Sequence, residues 1–239
     1  MKNFIEVTEL KKVFGNGKDE VHAFGPATIN INTGEFVSIL GPSGCGKSTL
    51  MLMVAGLLDS TSGKVEFESK LVKGPKTDIG IMFQDNTLVP WRTVKGNIEL
   101  QLELRGLNLK DYQEQIYNIL KSVNLEDFAE RFPNELSGGM QQRAAFCQAM
   151  IHDPKIILLD EPLGKLDAMT REKIRADFQK LWMVKKPTVI FVTHSIEEAV
   201  QLSSRVILIT PRPGKIDREI KIDLPYPWVW KINFYLSIY

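Results

Sequence analysis

"GPSGCGKST", residues Gly41 to Thr49, decides how the rest of the chain is read. Small and turn-forming residues surround a single lysine, so the segment brings little side chain to any core. Its backbone must be what matters. The spacing matches the phosphate-loop pattern of a glycine, four residues and then Gly-Lys-Ser/Thr. The apolar run "FVSIL" (Phe36 to Leu40) precedes it and reads as a buried strand. The apolar periodic segment "STLMLMVAGLL" follows and reads as a helix. Glycines let the backbone curl so that successive N–H groups point inward. The helix start adds its unsatisfied N–H groups and its positive dipole end. The stretch is shaped to wrap a polyphosphate. Gly41, Pro42, Ser43, Gly44, Cys45, Gly46, Lys47, Ser48 and Thr49 are its expected contacts.

Working outward, the composition excludes several classes. The chain has 239 residues, 44% of them hydrophobic and 25% charged, with a net charge of +1. That suits one large α/β domain or two small ones. Nothing in the charge balance points to nucleic acid. Two cysteines, Cys45 and Cys147, are too few for a disulfide framework and suggest a reducing compartment. "MKNFIEVTEL" carries charges where a secretory signal needs an apolar run. No uninterrupted apolar stretch reaches the roughly 18 residues of a membrane span.

Short apolar runs alternate with longer periodic segments. "KIILLD", "TVIFVTH" and "RVILI" resemble "FVSIL" in being apolar on both faces. Such runs indicate parallel strands covered by helices. In "REKIRADFQKLW", Ile174, Phe178 and Leu181 share one face and charges take the other. The expected fold is an α/β layered domain with a mainly parallel core sheet. Residues through about 72 alternate strands and loops, which predicts a flanking antiparallel β subdomain. Helical periodicity from about residue 90, as in "YQEQIYNILKSV", predicts an inserted helical subdomain reaching to about residue 150.

Two further motifs carry chemistry. "KIILLDEP" brings Asp160 to the C-terminal end of a strand, where α/β sheets bind ligands. Asp160 can orient Mg²⁺ through water, and Glu161 can take a proton from an attacking water. The bland alternative is a strand end followed by a helix cap. "LSGGMQQR" places Ser137, Gly138 and Gly139 at the entry of a helix, a second anion-binding N-terminus. An ordinary N-cap would look the same. One nucleotide has only one γ-phosphate, so a second site is redundant unless two chains face each other.

With these residues in hand, the chain resembles the ATPase subunit of an ATP-binding-cassette (ABC) transporter, over residues 3 to about 224. "LSGGMQQR" is similar to that family's signature motif. The resemblance implies a P-loop ABC cassette over residues 1–224 that binds ATP and Mg²⁺. It implies that Lys47 reaches the β- and γ-phosphates, that Ser48, Gln84 and Asp160 serve the metal, and that Glu161 is the base. Gln84 in "MFQD" resembles the Q-loop glutamine, Asp167 in "KLDA" the D-loop aspartate and His194 in "VTHS" the switch histidine. Phe14 in "KKVFG" stands where an aromatic stacks on adenine, though a core phenylalanine is the alternative. The implied partners are a second copy of the chain, two transmembrane permease subunits and an extracytoplasmic substrate-binding protein, with no nucleic acid. The implied place is the cytoplasmic face of the plasma membrane, reached through the permeases.

"NTLVPWRTVKGNI" narrows the resemblance to the importers of nitrate, sulfonate, taurine and bicarbonate, a group that includes importers of thiamine-precursor pyrimidines. "LVPWR" is unusually apolar for a loop and is expected to dock a permease. The competing readings are a soluble ABC ATPase of DNA repair or translation, which needs long coiled coils or two cassettes, and a small-molecule P-loop kinase, which needs no "LSGGMQQR". Cys45, inside the phosphate loop, is expected to be a reactive thiol that ATP protects, because N–H groups and Lys47 favour its thiolate. Three departures from the family pattern stand out. Gln148 occupies a usual arginine position and removes an ion pair. Lys165 replaces a usual small residue. Residues 225–239 form an atypical aromatic tail with Trp228, Trp230, Phe234 and Tyr235. Packing on the body, a partner or membrane contact and a shifted reading frame are the alternatives for the tail.

Overall fold

The computed structural model describes residues 3–85 and 87–224, so the aromatic tail lies outside the described residues. The chain opens with β1 (Asn3–Phe14), β2 (Val21–Asn32), β3 (Phe36–Leu40) and α1 (Lys47–Val54). β4 (Ser62–Phe67), β5 (Lys70–Leu71) and β6 (Ile79–Met82) follow. Three helices come next, α2 (Val94–Glu103), α3 (Gln113–Ser122) and α4 (Gly138–Met150). The rest alternates: β7 (Ile156–Asp160), α5 (Ala168–Lys185), β8 (Thr188–Thr193), α6 (Ile196–Leu202), β9 (Arg205–Ile209) and β10 (Ile216–Lys221).

The apolar runs form one sheet, in the order β10-β9-β3-β8-β7-β6. Its strands pair in parallel except at the β9–β10 edge. Each residue of β3, β7 and β8 is buried. The pleat sends alternate side chains to opposite cores. Val37, Ile39, Leu158 and Ile190 join the core that holds α1 and the antiparallel sheet. Phe36, Ile157, Leu159, Val189 and Phe191 join the core built with α2 to α5. A strand buried on both faces has no polar face to show, which is why its sequence does not alternate. Burying a side chain of this size contributes roughly 1.5–3 kcal/mol.

β2, β1, β4 and β5 make the flanking sheet, all antiparallel. The helices behave as amphipathic segments do. Ile116 and Leu120 of α3 are buried, as are Ile174, Phe178 and Leu181 of α5. The rings of Phe146 and Phe178 stack at 3.9 Å and lock α4 to α5. The other face of α5 is less solvated than its charges imply. Arg175 and Asp177 are buried. Asp177 pairs with Arg143 of α4 at 2.9 Å, and Arg175 with Glu197 of α6 at 2.9 Å. α1 ends at Val54, earlier than the apolar run suggests, because Gly56 turns left-handed at φ 71°.

Candidate functional site

Three neighbouring parallel strands deliver the site. β3, β8 and β7 lie side by side, with Leu40 paired to Thr193 and Asp160 paired to Val192. Their carboxyl ends therefore release the glycine loop, His194 and Glu161 in one row. Such an edge is where open α/β sheets bind ligands.

The glycine loop depends on a close approach. A Cβ on Gly46 would sit 2.3 Å from the Ala23 carbonyl oxygen of β2, and Gly46 has φ 99°. Only glycine fits both conditions. Helix α1 starts at the next residue, which aims its first N–H groups into the loop. Lys47 is buried, and its Nζ donates to the carbonyls of Gly41 and Pro42 at 2.8 and 2.9 Å.

Glu161 is held from two sides. Oε1 lies 3.5 Å from Lys47 Nζ, and Oε2 lies 2.9 Å from His194 Nδ1. Its backbone is left-handed, with φ 42°. Such a conformation is strained for a residue with a long side chain, and strain of this kind concentrates at functional sites. Asp160, one residue earlier, accepts a hydrogen bond from Ser48 Oγ at 3.0 Å. Burial pushes its carboxyl above the ordinary aspartate range; the neighbouring Glu161 adds to the push, while the Ser48 bond and Lys47 oppose it. A half-desolvated carboxylate beside a hydroxyl is a hard-oxygen donor pair of the kind Mg²⁺ takes, together with phosphate oxygens. The residues present fit that ion, with Gln84, exposed in the loop after β6, as a further oxygen donor.

The second candidate helix start lies at α4. Ser137 caps α4 by accepting from the Met140 N–H at 3.3 Å. A Cβ on Gly139 would meet Thr170 Cγ2 at 2.5 Å, so α4 enters flush against the first turn of α5. Asp167 caps that turn, accepting from the Thr170 N–H at 3.0 Å. Those hydrogen bonds to Thr170 hold its carboxyl below the usual range. Ser137, Gly138, Gly139 and Asp167 thus form one seam, with the Cβ position of Gly138 4.0 Å from Leu166 Cδ2.

Phe14 ends β1 opposite Val21, and its ring is exposed rather than in the core. The same β2 strand that receives it packs on Gly46. Cys45 departs from expectation. Its side chain is 1% exposed and belongs to the α1 core, with Sγ against Gly41. The loop handedness turns the thiol inward and its backbone N–H donates to the Pro42 carbonyl at 3.4 Å, so the exposed, reactive thiol expected from the sequence is not there.

Residues 88 to 92 form a platform tied to α2 by hydrogen bonds. Val89 to Arg92 close a turn through the Arg92 N–H to Val89 O bond at 3.1 Å. Asn97 of α2 is fully buried beneath it. Its Oδ1 accepts from the Val89 N–H, and its Nδ2 reaches the carbonyls of Val89, Arg92 and Thr93. Trp91 stands at the tip, 77% exposed. The sequence reading missed Asn97, yet "VKGNI" carries a signal: Val94, Asn97 and Ile98 share one buried helix face. Gln148 does not leave its position unbonded; it donates to the Asn97 carbonyl at 3.1 Å. Lys165 pairs with Asp85, next to Gln84. A cleft of about 290 Å³ lies beside this platform, lined by Ile79, Ile81, Phe83, Thr87, Leu100 and Gln148 among others.

Comparison with known proteins fits this geometry. Residues 24–164 match the family model described as ABC transporter. An uncharacterized ABC transporter ATP-binding protein of Methanocaldococcus jannaschii is 45% identical over 227 residues, covering 95% of this chain and 85% of that one. A taurine import ATP-binding protein of Jannaschia sp. is 44% identical over 202 residues, covering 84% of this chain and 75% of that one. A dimeric cassette solved in a post-hydrolysis state with ADP and Pi superposes with TM-score 0.80 at 34% identity, covering 92% of this chain and all of that one. With that family model matching more than half of its length and relatives of 45% and 44% identity along most of it, the chain belongs to the ABC transporter family as an ATP-binding subunit.

Proposed function

We propose that this chain hydrolyses ATP to power import of a small solute, of the nitrate, sulfonate or taurine kind, through two permease subunits fed by an extracytoplasmic binding protein. The observation that carries the ATPase step is the Glu161 carboxylate held between Lys47 and His194. Glu161 takes a proton from water as the water oxygen bonds to the γ-phosphorus. The bond from that phosphorus to the bridging oxygen breaks, and ADP leaves with the electron pair. Lys47 moves from the loop carbonyls to the phosphates, and His194 orients Glu161 and reaches the γ-phosphate. Ser48, Asp160 and Gln84 would hold Mg²⁺, which when bound neutralises phosphate charge. Phe14 stacks on the adenine.

The seam at Ser137 to Gly139 and Asp167 serves the nucleotide of a second copy. Met169 and Ile196, both more than 70% exposed on the first turns of α5 and α6, support such a covered face. Residues 1–224 then form one cassette, with the helices between 90 and 150 as an inserted arm that meets the permease through the Trp91 platform. The assembly lies on the cytoplasmic face of the membrane; no helix among the described residues is long and apolar enough to cross it.

Defined heterodimers test the two-chain site. One pair carries Lys47→Ala in one chain and Ser137→Arg in the other. A second pair carries both changes in one chain beside a wild-type partner. Action in trans leaves one intact site in the first pair and none in the second. Single-turnover hydrolysis by the second pair alone would overturn the reading.

A further inference from the structure

Phe14 has a neighbour that no part of the mechanism uses. Lys12 Nζ lies over the Phe14 ring, 5.0 Å from its centroid. The same ammonium donates to the Asp59 carbonyl oxygen at 2.7 Å. Asp59 belongs to the connection between α1 and β4, and that connection grips the end of β1 at three more points. The Thr61 N–H donates to Lys11 O at 2.8 Å. The Val13 N–H donates to Thr61 Oγ1 at 3.0 Å, and that hydroxyl donates to Val13 O at 3.2 Å. α1 is the helix that starts directly from the glycine loop, at Lys47. Its far end therefore sets where the β1 terminus lies.

We propose that Lys12 is a positioning residue for the nucleotide base: it fixes the Phe14 ring in one rotamer and leaves the opposite face for the purine. The inference rests on the reading that Phe14 stacks on adenine. The physical argument has two parts. An ammonium is attracted to an aromatic face by the ring quadrupole, and at an exposed site that attraction is modest but sufficient to bias a rotamer. A ring already ordered loses less freedom when a base stacks on it, so affinity rises without a new contact to the ligand. The Asp59 carbonyl completes the device. It fixes the cation, which a lysine on a flexible stem would not do alone, and it links the base end of the site to the phosphate end through α1.

The purified full chain carries the test. Lys12→Met keeps the length and apolar stem but removes the cation. It is expected to raise the KM for ATP about two- to fivefold with kcat unchanged. Affinity for inorganic tripolyphosphate, which has no base, is expected to stay the same. Lys12→Arg is expected to restore the ATP value. Phe14→Ala is measured alongside. If Phe14→Ala weakens ATP binding while Lys12→Met does not, the ring orders itself and the proposal is wrong. If Lys12→Met weakens ATP and tripolyphosphate equally, its role is to hold up the loop, and the proposal is also wrong. If Phe14→Ala leaves ATP affinity unchanged, the stacking reading fails first and takes the proposal with it.

Discussion

His194 and Glu161 share a hydrogen bond of 2.9 Å, on the carboxylate oxygen that does not face Lys47. The two oxygens thus have different partners, and the carboxylate has one orientation. Glu161→Gln keeps the shape and removes the proton acceptor. Turnover is expected to fall by at least about a hundredfold while ATP still binds. Rapid-quench hydrolysis of labelled ATP checks this, and near-normal turnover would remove Glu161 from the role. Asp167, capping α5 instead, has no such expectation for its proton.

Asp160 is expected to separate stability from activity. Its carboxyl titrates above the ordinary range because it is buried. A folded-state value raised above the unfolded one favours the folded state only while the acid is protonated. At neutral pH the ionised group therefore costs stability. Asp160→Asn is expected to raise the melting temperature at pH 7 and to abolish hydrolysis. The gain is expected to vanish as pH falls through the raised value to below the unfolded one, where the native acid is neutral too. Thermal melts of both proteins from pH 7 to pH 3 measure the difference.

His152 gives the opposite sign. Arg105 Nη2 lies 3.0 Å from its Nε2, so the imidazole accepts from a guanidinium and must be neutral. Burial first, then the Arg105 charge, lowers its pKa to about 4. A lowered histidine stabilises the fold above its unfolded value near 6.5 and loses that contribution as pH falls toward 4. The loss is about 1–2 kcal/mol once screening of a partly exposed ring is allowed for. His152→Gln still offers an acceptor to Arg105 and does not titrate. Its stability is expected to be flat across that window, as denaturant melts at pH 7, 5.5 and 4.5 would reveal.

Both cysteines are expected to resist alkylation in the folded protein. Cys45 lies in the α1 core, and Cys147 is fully buried with its thiol pushed up by that burial. A buried thiol is out of reach of the reagent. Reaction with a maleimide should therefore follow unfolding, with or without ATP at saturating reagent. Rapid modification of Cys45 that blocks ATP would show that the loop opens.

Trp91 and Asn97 are expected to fail differently. Trp91 is exposed on its turn, so Trp91→Ala is expected to leave hydrolysis by the isolated chain nearly intact and to uncouple uptake in the reconstituted transporter. Asn97→Ala leaves the Val89 N–H without its side-chain acceptor and takes one donor from the Val89, Arg92 and Thr93 carbonyls, and is expected to cost about 1–3 kcal/mol of stability. Collapse of isolated-chain hydrolysis in Trp91→Ala would place that ring in the core instead.

What was legible in the sequence follows from burial. β3, β7, β8 and β9 are mostly apolar because both faces of the sheet are largely covered, and four such runs imply the parallel core. β6, four residues long, and β10, with "IDREIK" on an exposed edge, carry no such pattern. The turn of the glycine loop between β3 and α1 was legible because its spacing demands glycines, as the φ of Gly46 and its close approach to Ala23 require. The direction of the Cys45 side chain was not, since it depends on handedness around Gly44 and Gly46. Half-buried ion pairs such as Arg143 with Asp177 read as surface charge until α4 and α5 are brought together.

The backbone at Glu161 has a consequence for how this chain would decay. A left-handed φ of 42° suits glycine or asparagine better than glutamate. Local folding preference and chemistry thus pull this position in opposite directions. In a copy of the gene released from selection for transport, Glu161→Gly relieves that strain while removing the contacts to Lys47 and His194. Drift would then erase the chemistry before the architecture, leaving a silent cassette that still folds.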